Sequence, residues 1–238
     1  MPSDDDVARI LVITAHPDDV DFGAAGSIAT WTGEGREVAY CVVTDGDAGG
    51  FDPAVPRTEI PGIRRAEQTA AAKEVGVTDL TFLGYPDGRL EVSIDLRRDI
   101  SRVIRQFRPH RVLCQSPERT WGRIFASHPD HLAAGEAAVC AVYPDARNPF
   151  AHPELAAEGW EAWTVGELWI MAHSDVNRWV DITDTIDRKV AALRSHVSQM
   201  PDPDAVEERV RAWGAATGVA GGLPEGRLAE GFMAVPTG

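Results

Sequence analysis

The chain has 238 residues, 44% of them hydrophobic and 25% charged, with a formal charge of −14 at neutral pH. That composition suits a folded globular protein and excludes wholesale disorder. So large an acid excess works against binding a nucleic acid, because neutralising phosphates needs clustered Lys and Arg. No window reaches the roughly 18 consecutive apolar residues of a membrane span. The start, MPSDDDVARI, is acidic where an export signal would be basic. Cys41, Cys114 and Cys140 are odd in number, far apart and set in apolar runs. They read as reduced residues of a cytoplasmic protein, not as a disulfide framework or a zinc knot.

Ala8–Thr14 is a continuous apolar run ended by a Pro-Asp-Asp turn, the pattern of a strand buried on both faces of a parallel sheet. A helix over Gly23–Thr32, a second buried strand at Glu37–Thr44, a helix over Ile63–Glu74 and a strand at Leu80–Leu83 follow. Next come an amphipathic helix at Asp95–Phe107, stopped before Pro109, and the strand Arg111–Gln115. This alternation predicts an α/β, Rossmann-like fold, a mostly parallel sheet with helices on both faces. In such sheets ligands bind outside the carboxyl ends of the strands.

The second half predicts helices at His131–Val142, Asp184–Val197 and Asp204–Trp213, and strands at Glu167–Ala172 and Trp179–Ile182. A last strand, Glu230–Val235, is expected at the sheet edge. Long loops are expected at Asp45–Gly62, Ser116–Ser127 and Tyr143–Trp160, and loops of that length are often functional. With no internal repeat, one domain over 1–238 is the simplest organisation.

Two strand exits carry the chemistry. His16-Pro17-Asp18-Asp19 places an imidazole and two carboxylates on one turn, a set that suits a divalent ion. A helix cap built on Asp and Pro would account for part of it, but a cap does not need His16. Ser127-His128-Pro129-Asp130-His131 repeats the pattern about a hundred residues later, and again a cap is the plain alternative. Two halves of one metal site explain the repetition without coincidence. A catalytic zinc takes three protein ligands and keeps an open position; His16, Asp19 and His131 would supply two imidazoles and a carboxylate. Asp18 would then stand free as a base. His128, oriented by Asp130, would donate to an oxyanion or to a leaving amine.

With Asp21, Gly23, Arg64-x-x-Glu67 and Pro86-Asp87-Gly88, these motifs resemble the PIG-L/LmbE-like zinc deacetylases. Val180-Asp181-Ile182-Thr183, His196-Val197-Ser198-Gln199 and Ala229-Glu230-x-Phe232 fall in that family's order, so the resemblance runs from about Ile10 to Phe232. It implies zinc on His16, Asp19 and His131, Asp18 as general base, and His128 with Asp130 at the tetrahedral intermediate. It implies sugar contacts from Arg64 and Asp87, an acetamido-sugar small molecule as substrate, and a place in thiol or antibiotic pathways. A homo-oligomer stays open. The chain departs from thiol-precursor deacetylases in having no Tyr shortly before its second His motif, where Arg123-Ile124-Phe125-Ala126-Ser127 stands.

Other residues carry less. Asp45 and Asp47 either line the pocket or form a Gly/Asp turn, Glu67 is expected to support Arg64 across a helical turn, and Trp121, Trp160 and Trp163 are divided between a rim and core packing. Within the same chemistry, the alternative is an amidase that removes a larger acyl group from an amino-sugar thiol conjugate. A non-catalytic module stabilised by metal is disfavoured because no cysteine lies near either motif. A nucleotide-binding domain is disfavoured because no G-x-G-x-x-G follows the first strand.

Overall fold

A computed structural model describes residues 6–238; the acidic start, 1–5, lies outside it. Seven strands form one sheet: β1 (Arg9–Thr14), β2 (Glu37–Thr44), β3 (Asp79–Tyr85), β4 (Arg111–Gln115), β5 (Glu167–Met171), β6 (Arg178–Asp181) and β7 (Ala229–Pro236). Their order is β3-β2-β1-β4-β5-β7-β6. The first five are parallel to one another, and β7 runs antiparallel to both β5 and β6.

The apolar runs form central strands because alternate residues feed two cores. Leu11, Ile13, Val112 and Cys114 pack with Leu96, Ile100 and Ile104 of α3 (Ile94–Phe107) and the alanines of α4 (Pro129–Cys140). Ile10, Val12 and Leu113 face the other way. They meet α1 (Asp19–Gly33) and the small residues Ala71 and Ala72 of α2 (Ile60–Glu74), with Ala192 of α6 (Ile186–Arg194) joining them. Helices therefore cover both faces, as the alternation of elements predicts.

Several bounds differ from expectation, each for a local reason. β7 is interior, not an edge; β6 is the edge strand. α1 begins at Asp19, four residues before the expected start, because the second Asp of the first motif already lies in the first turn. α4 begins at Pro129, whose missing N–H suits a first helical position. α6 stops at Arg194, short of Val197. The last helix, α7 (Pro203–Ala220), runs seven residues past Trp213, where Gly214 lies close to Leu228 and Gly218 presses on the Arg227 carbonyl so tightly that a side chain would not fit. The loop expected over Tyr143–Trp160 holds the short α5 (Pro153–Ala157). No helix among the described residues is long and apolar enough to cross a membrane.

Because β1 and β4 are paired neighbours, pairing Ile10 with Arg111 through Ile13 with Cys114, their exits lie side by side. The two His-Pro-Asp segments follow those exits.

Candidate active site

The first segment leaves β1 in an abrupt turn. Asp18 has φ 92°, in the left-handed region that Asp tolerates better than most residues. The turn is pinned from outside: the Asp18 backbone N–H donates to Gln68 Oε1 at 2.7 Å, and Arg64 Nη2 donates to the Pro17 carbonyl and to Asp18 Oδ2, the latter at 3.1 Å. Gln68 in turn donates to Asp21 Oδ2 at 2.9 Å, and His196 Nε2 lies 2.8 Å from the same oxygen. Sequence reasoning missed Gln68. Its signal was its place one helical turn after Arg64, a polar residue on the buried face of an otherwise Ala-rich helix.

The second segment starts α4 with His128 as the cap. His128 Nδ1 accepts the backbone N–H of Asp130 at 3.2 Å, which leaves the ring proton on Nε2, free to donate. Burial lowers the pKa of His128, and the neighbouring His16 and His131 rings lower it further, which favours the neutral ring.

The two segments meet at His16 Nδ1, Asp19 and His131 Nε2. His16 Nδ1 is 3.2 Å from His131 Nε2 and 3.3 Å from Asp19 Oδ2, and His131 Nε2 is 3.0 Å from Asp19 Oδ1. A tetrahedral ion with bonds of roughly 2.0–2.1 Å needs donor atoms roughly 3.3 Å apart. The three donors already have that spacing, so the set fits a small divalent metal.

The far sides of the rings support this. His131 Nδ1 is turned to the Ala126 carbonyl at 3.4 Å, and His16 Nε2 to Asp87 Oδ1 at 3.0 Å and Asp130 Oδ2 at 3.2 Å. Each ring thereby has an acceptor for its far N–H, which leaves the nitrogen facing the shared point as the one to give up its proton to a metal. Two further groupings, His16 with His128 and His131, and His16 with Asp87 and Asp130, also converge within 4.8 Å. The second of these lies on the Nε2 side of His16, where the carboxylates act as hydrogen-bond acceptors for the ring.

The charges follow from this packing. Burial opposes a proton on His16, yet hydrogen bonds to Asp130, Asp19 and Asp87 outweigh it and push its pKa up to about 12. Burial also opposes charge on Asp19, but His131 and His16 hold its carboxyl well below the usual range. Asp18 goes the other way. Burial raises it to about 6, against the pull of the Arg64 guanidinium and with a push from Asp19.

Several expected pairings are corrected. The Asp130 carboxylate, 1% exposed, faces His16 and not His128, and takes the backbone N–H of Gly88 at 2.7 Å and of Leu90 at 3.2 Å. Both of its oxygens are engaged by His16 and by the Gly88 and Leu90 N–H groups, on the side away from His128's capping nitrogen. Asp87 also faces His16, so it buttresses the donor set. Glu67 does not support Arg64; its carboxylate accepts the Ser198 N–H and hydroxyl, each at 2.7 Å.

The Gly/Asp loop after β2 is explained by Arg64, since a side chain at Gly49 would collide with its guanidinium. Asp45 pairs with Arg65 and Asp47 with Arg57, so both brace the loop. Trp163 donates to the Pro109 carbonyl at the amino ends of the strands, away from the site, whereas Trp121 is 81% exposed on the loop before His128.

Residues 11–142 match the model of the PIG-L family, described as GlcNAc-PI de-N-acetylase. The chain is 33% identical to a diacetylchitobiose deacetylase of Thermococcus kodakarensis, over 83% of this chain and 72% of that one. It is 30% identical to a 1D-myo-inositol 2-acetamido-2-deoxy-alpha-D-glucopyranoside deacetylase of Rhodococcus erythropolis, over 81% of each. In architecture it is similar to the N,N'-diacetylchitobiose deacetylase of Pyrococcus horikoshii, with a TM-score of 0.90, 30% identity and 98% of this chain and 85% of that one covered.

Proposed function

Since the chain belongs to the PIG-L family and is a hydrolase acting on N-acetyl amides, we propose that it removes the acetyl group from an N-acetylglucosamine-type conjugate, with zinc held by His16, Asp19 and His131. The observation that carries this is the convergence of those three donors at 3.0–3.3 Å with a separate carboxylate, Asp18, beside them. Zinc bound there supplies Lewis-acid polarisation of the amide carbonyl and acidification of water.

The rest is done by the chain. Asp18, held in its turn by Gln68 and Arg64, takes the proton of the attacking water as general base. The Asp18 carboxylate is turned to Arg64 while that of Asp19 faces the two imidazoles, so one can ligate while the other serves as base. His128 Nε2–H donates to the oxygen that becomes negative as the carbonyl carbon turns tetrahedral. Asp18 then returns the proton it took from water to the departing amine, which leaves as the C–N bond breaks and acetate forms. Asp130 and Asp87 hold His16 in the tautomer it needs. Arg64 is buried and engaged with Asp18, which supports a part in setting the base more than a contact with sugar.

The comparisons favour acetamido sugars as a class, and the acid-rich surface favours a neutral or cationic conjugate over a polyphosphorylated one. We read residues 6–238 as one domain, supported by a single sheet that draws strands from both halves of the chain. Free cysteines at 41, 114 and 140 support a cytoplasmic setting.

Amine release from a panel of N-acetylglucosamine conjugates, measured alongside metal content, tests the proposal. Zinc-dependent release of glucosamine conjugate and acetate is expected. A protein that binds zinc stoichiometrically and releases no amine from any member of the panel would overturn it.

A further inference from the structure

Beside the donor set lies a cleft with a volume of about 790 Å³. Asp19 and His131 are among its lining residues, its apolar surface comes from Phe22, Met171, Ile182, Val210 and Trp213, and Arg123 and Arg209 line it as well. It is far larger than an acetyl methyl requires and within the range that holds a drug-sized ligand, roughly 300–1,000 Å³.

Small residues keep it open. Gly23 lets the Met171 thioether lie against α1, since a Cβ there would sit 2.7 Å from Sδ. Gly214, Ala216 and Gly231 line the opposite side without filling it. Lys189 and Glu230 also reach the wall, but they are buried and paired at 2.6 Å, so together they present no net charge.

The sheet order gives the site two unlike flanks. On the β2–β3 side of β1 stand Arg64, Asp47 and Asp87, all polar and all engaged. On the β5–β7 side lies the apolar cleft. An amide whose carbonyl meets the donors at the β1 and β4 exits has one substituent for each flank. Asp18, which hands its proton to the departing amine, is held by Arg64 on the first flank and does not line the cleft, so the acyl group is the substituent left for the cleft.

We propose that this cleft is an acyl-chain subsite, and that the chain hydrolyses N-acylglucosamines with aliphatic acyl groups of about six to eight carbons better than the N-acetyl compound. The inference rests on the hydrolase reading above and deepens it by assigning the acyl class. Burying each added methylene should raise kcat/KM about threefold to fourfold until the cleft is full.

The test uses the zinc-loaded protein and methyl glucosaminides carrying N-acetyl, N-hexanoyl or N-octanoyl groups, with octyl N-acetylglucosaminide as the arm that carries its apolar chain on the sugar. Binding of the same compounds to Asp18→Asn is followed by calorimetry. The N-octanoyl compound should be cleaved faster and bound at least about tenfold tighter than N-acetyl. Ala216→Trp, on the exposed face of α7 that borders the cleft, should cut the N-octanoyl to N-acetyl ratio by about tenfold in both measurements.

Cleavage of the N-acetyl compound with no gain from longer acyl groups would overturn the inference and leave the deacetylase reading standing. A gain for the octyl glycoside alone would also overturn it, by assigning the cleft to the aglycone. If no compound is cleaved, the deacetylase reading fails. In that case the calorimetry decides the cleft, and equal affinities for N-acetyl and N-octanoyl compounds would overturn the subsite as well.

Discussion

The two His-Pro-Asp turns share three residues and almost nothing else. In the first, His16 turns its ring into the donor set while Asp18, forced into a left-handed backbone, keeps its carboxylate apart. In the second, His128 spends Nδ1 on capping α4, and Asp130 is buried one residue into the helix, where it props up His16 across the site. What separates them is where the helix begins. α1 starts after the Asp, so Asp18 stays outside it; α4 starts at the Pro, so Asp130 is drawn in. A tripeptide does not carry a role of its own; the first helical residue assigns it.

Substitutions at matching positions should therefore act unequally. His131→Ala or His16→Ala removes a donor, so metal content and activity should fall together to the limit of detection; full metal occupancy in either variant, read by elemental analysis, would break the assigned donor set. Asp18→Asn should lower kcat by about 10²–10⁴ while the metal stays bound, as loss of a general base does. Normal turnover in that variant would show that Asp18 is not the base.

His128→Ala should reduce kcat by about 10²–10³ with little change in KM, the loss of a transition-state hydrogen bond. A pure rise in KM would place His128 in substrate binding instead. Asp130→Asn, the counterpart of Asp18→Asn, should act on the metal: affinity measured against a competing chelator should drop about 10–100-fold. If zinc affinity is unchanged while kcat collapses, the two turns are more alike than their geometry implies. Gln68→Leu should show the smallest effect, a loss of about 1–3 kcal/mol in unfolding free energy, because the Asp18 N–H loses its buried partner. An unfolding curve that matches the wild type would mean that the strained turn needs no clamp.

Much of this could be read from the chain itself. Apolar runs such as Arg9–Thr14 and Glu37–Thr44 can only be central strands, and a strand–helix alternation leaves few topologies to choose from. That the two His-Pro-Asp segments would meet was legible because each follows a central strand of one parallel sheet. What could not be read is whatever depends on contacts distant in sequence. Asp130 serves a ring 114 positions earlier, Gln68 serves a backbone N–H 50 positions earlier, and neither spacing leaves a periodic trace. α7 outran its expected end because its length is set by packing on Leu228 and Arg227 and not by its own propensities. β7 was mistaken for an edge because an interior antiparallel strand and an edge strand share one alternating pattern.

The position of β7 also bears on how the molecule is made. Glu230 accepts the backbone N–H groups of Gly26 and Ser27 and the Ser27 hydroxyl, more than 200 residues upstream, and holds the Lys189 ammonium as well. α1, which follows the first His-Pro-Asp turn, thus lacks this anchor until synthesis has passed Glu230. Until then β5 offers an open flank of unpaired amides, the kind of surface on which nascent chains aggregate.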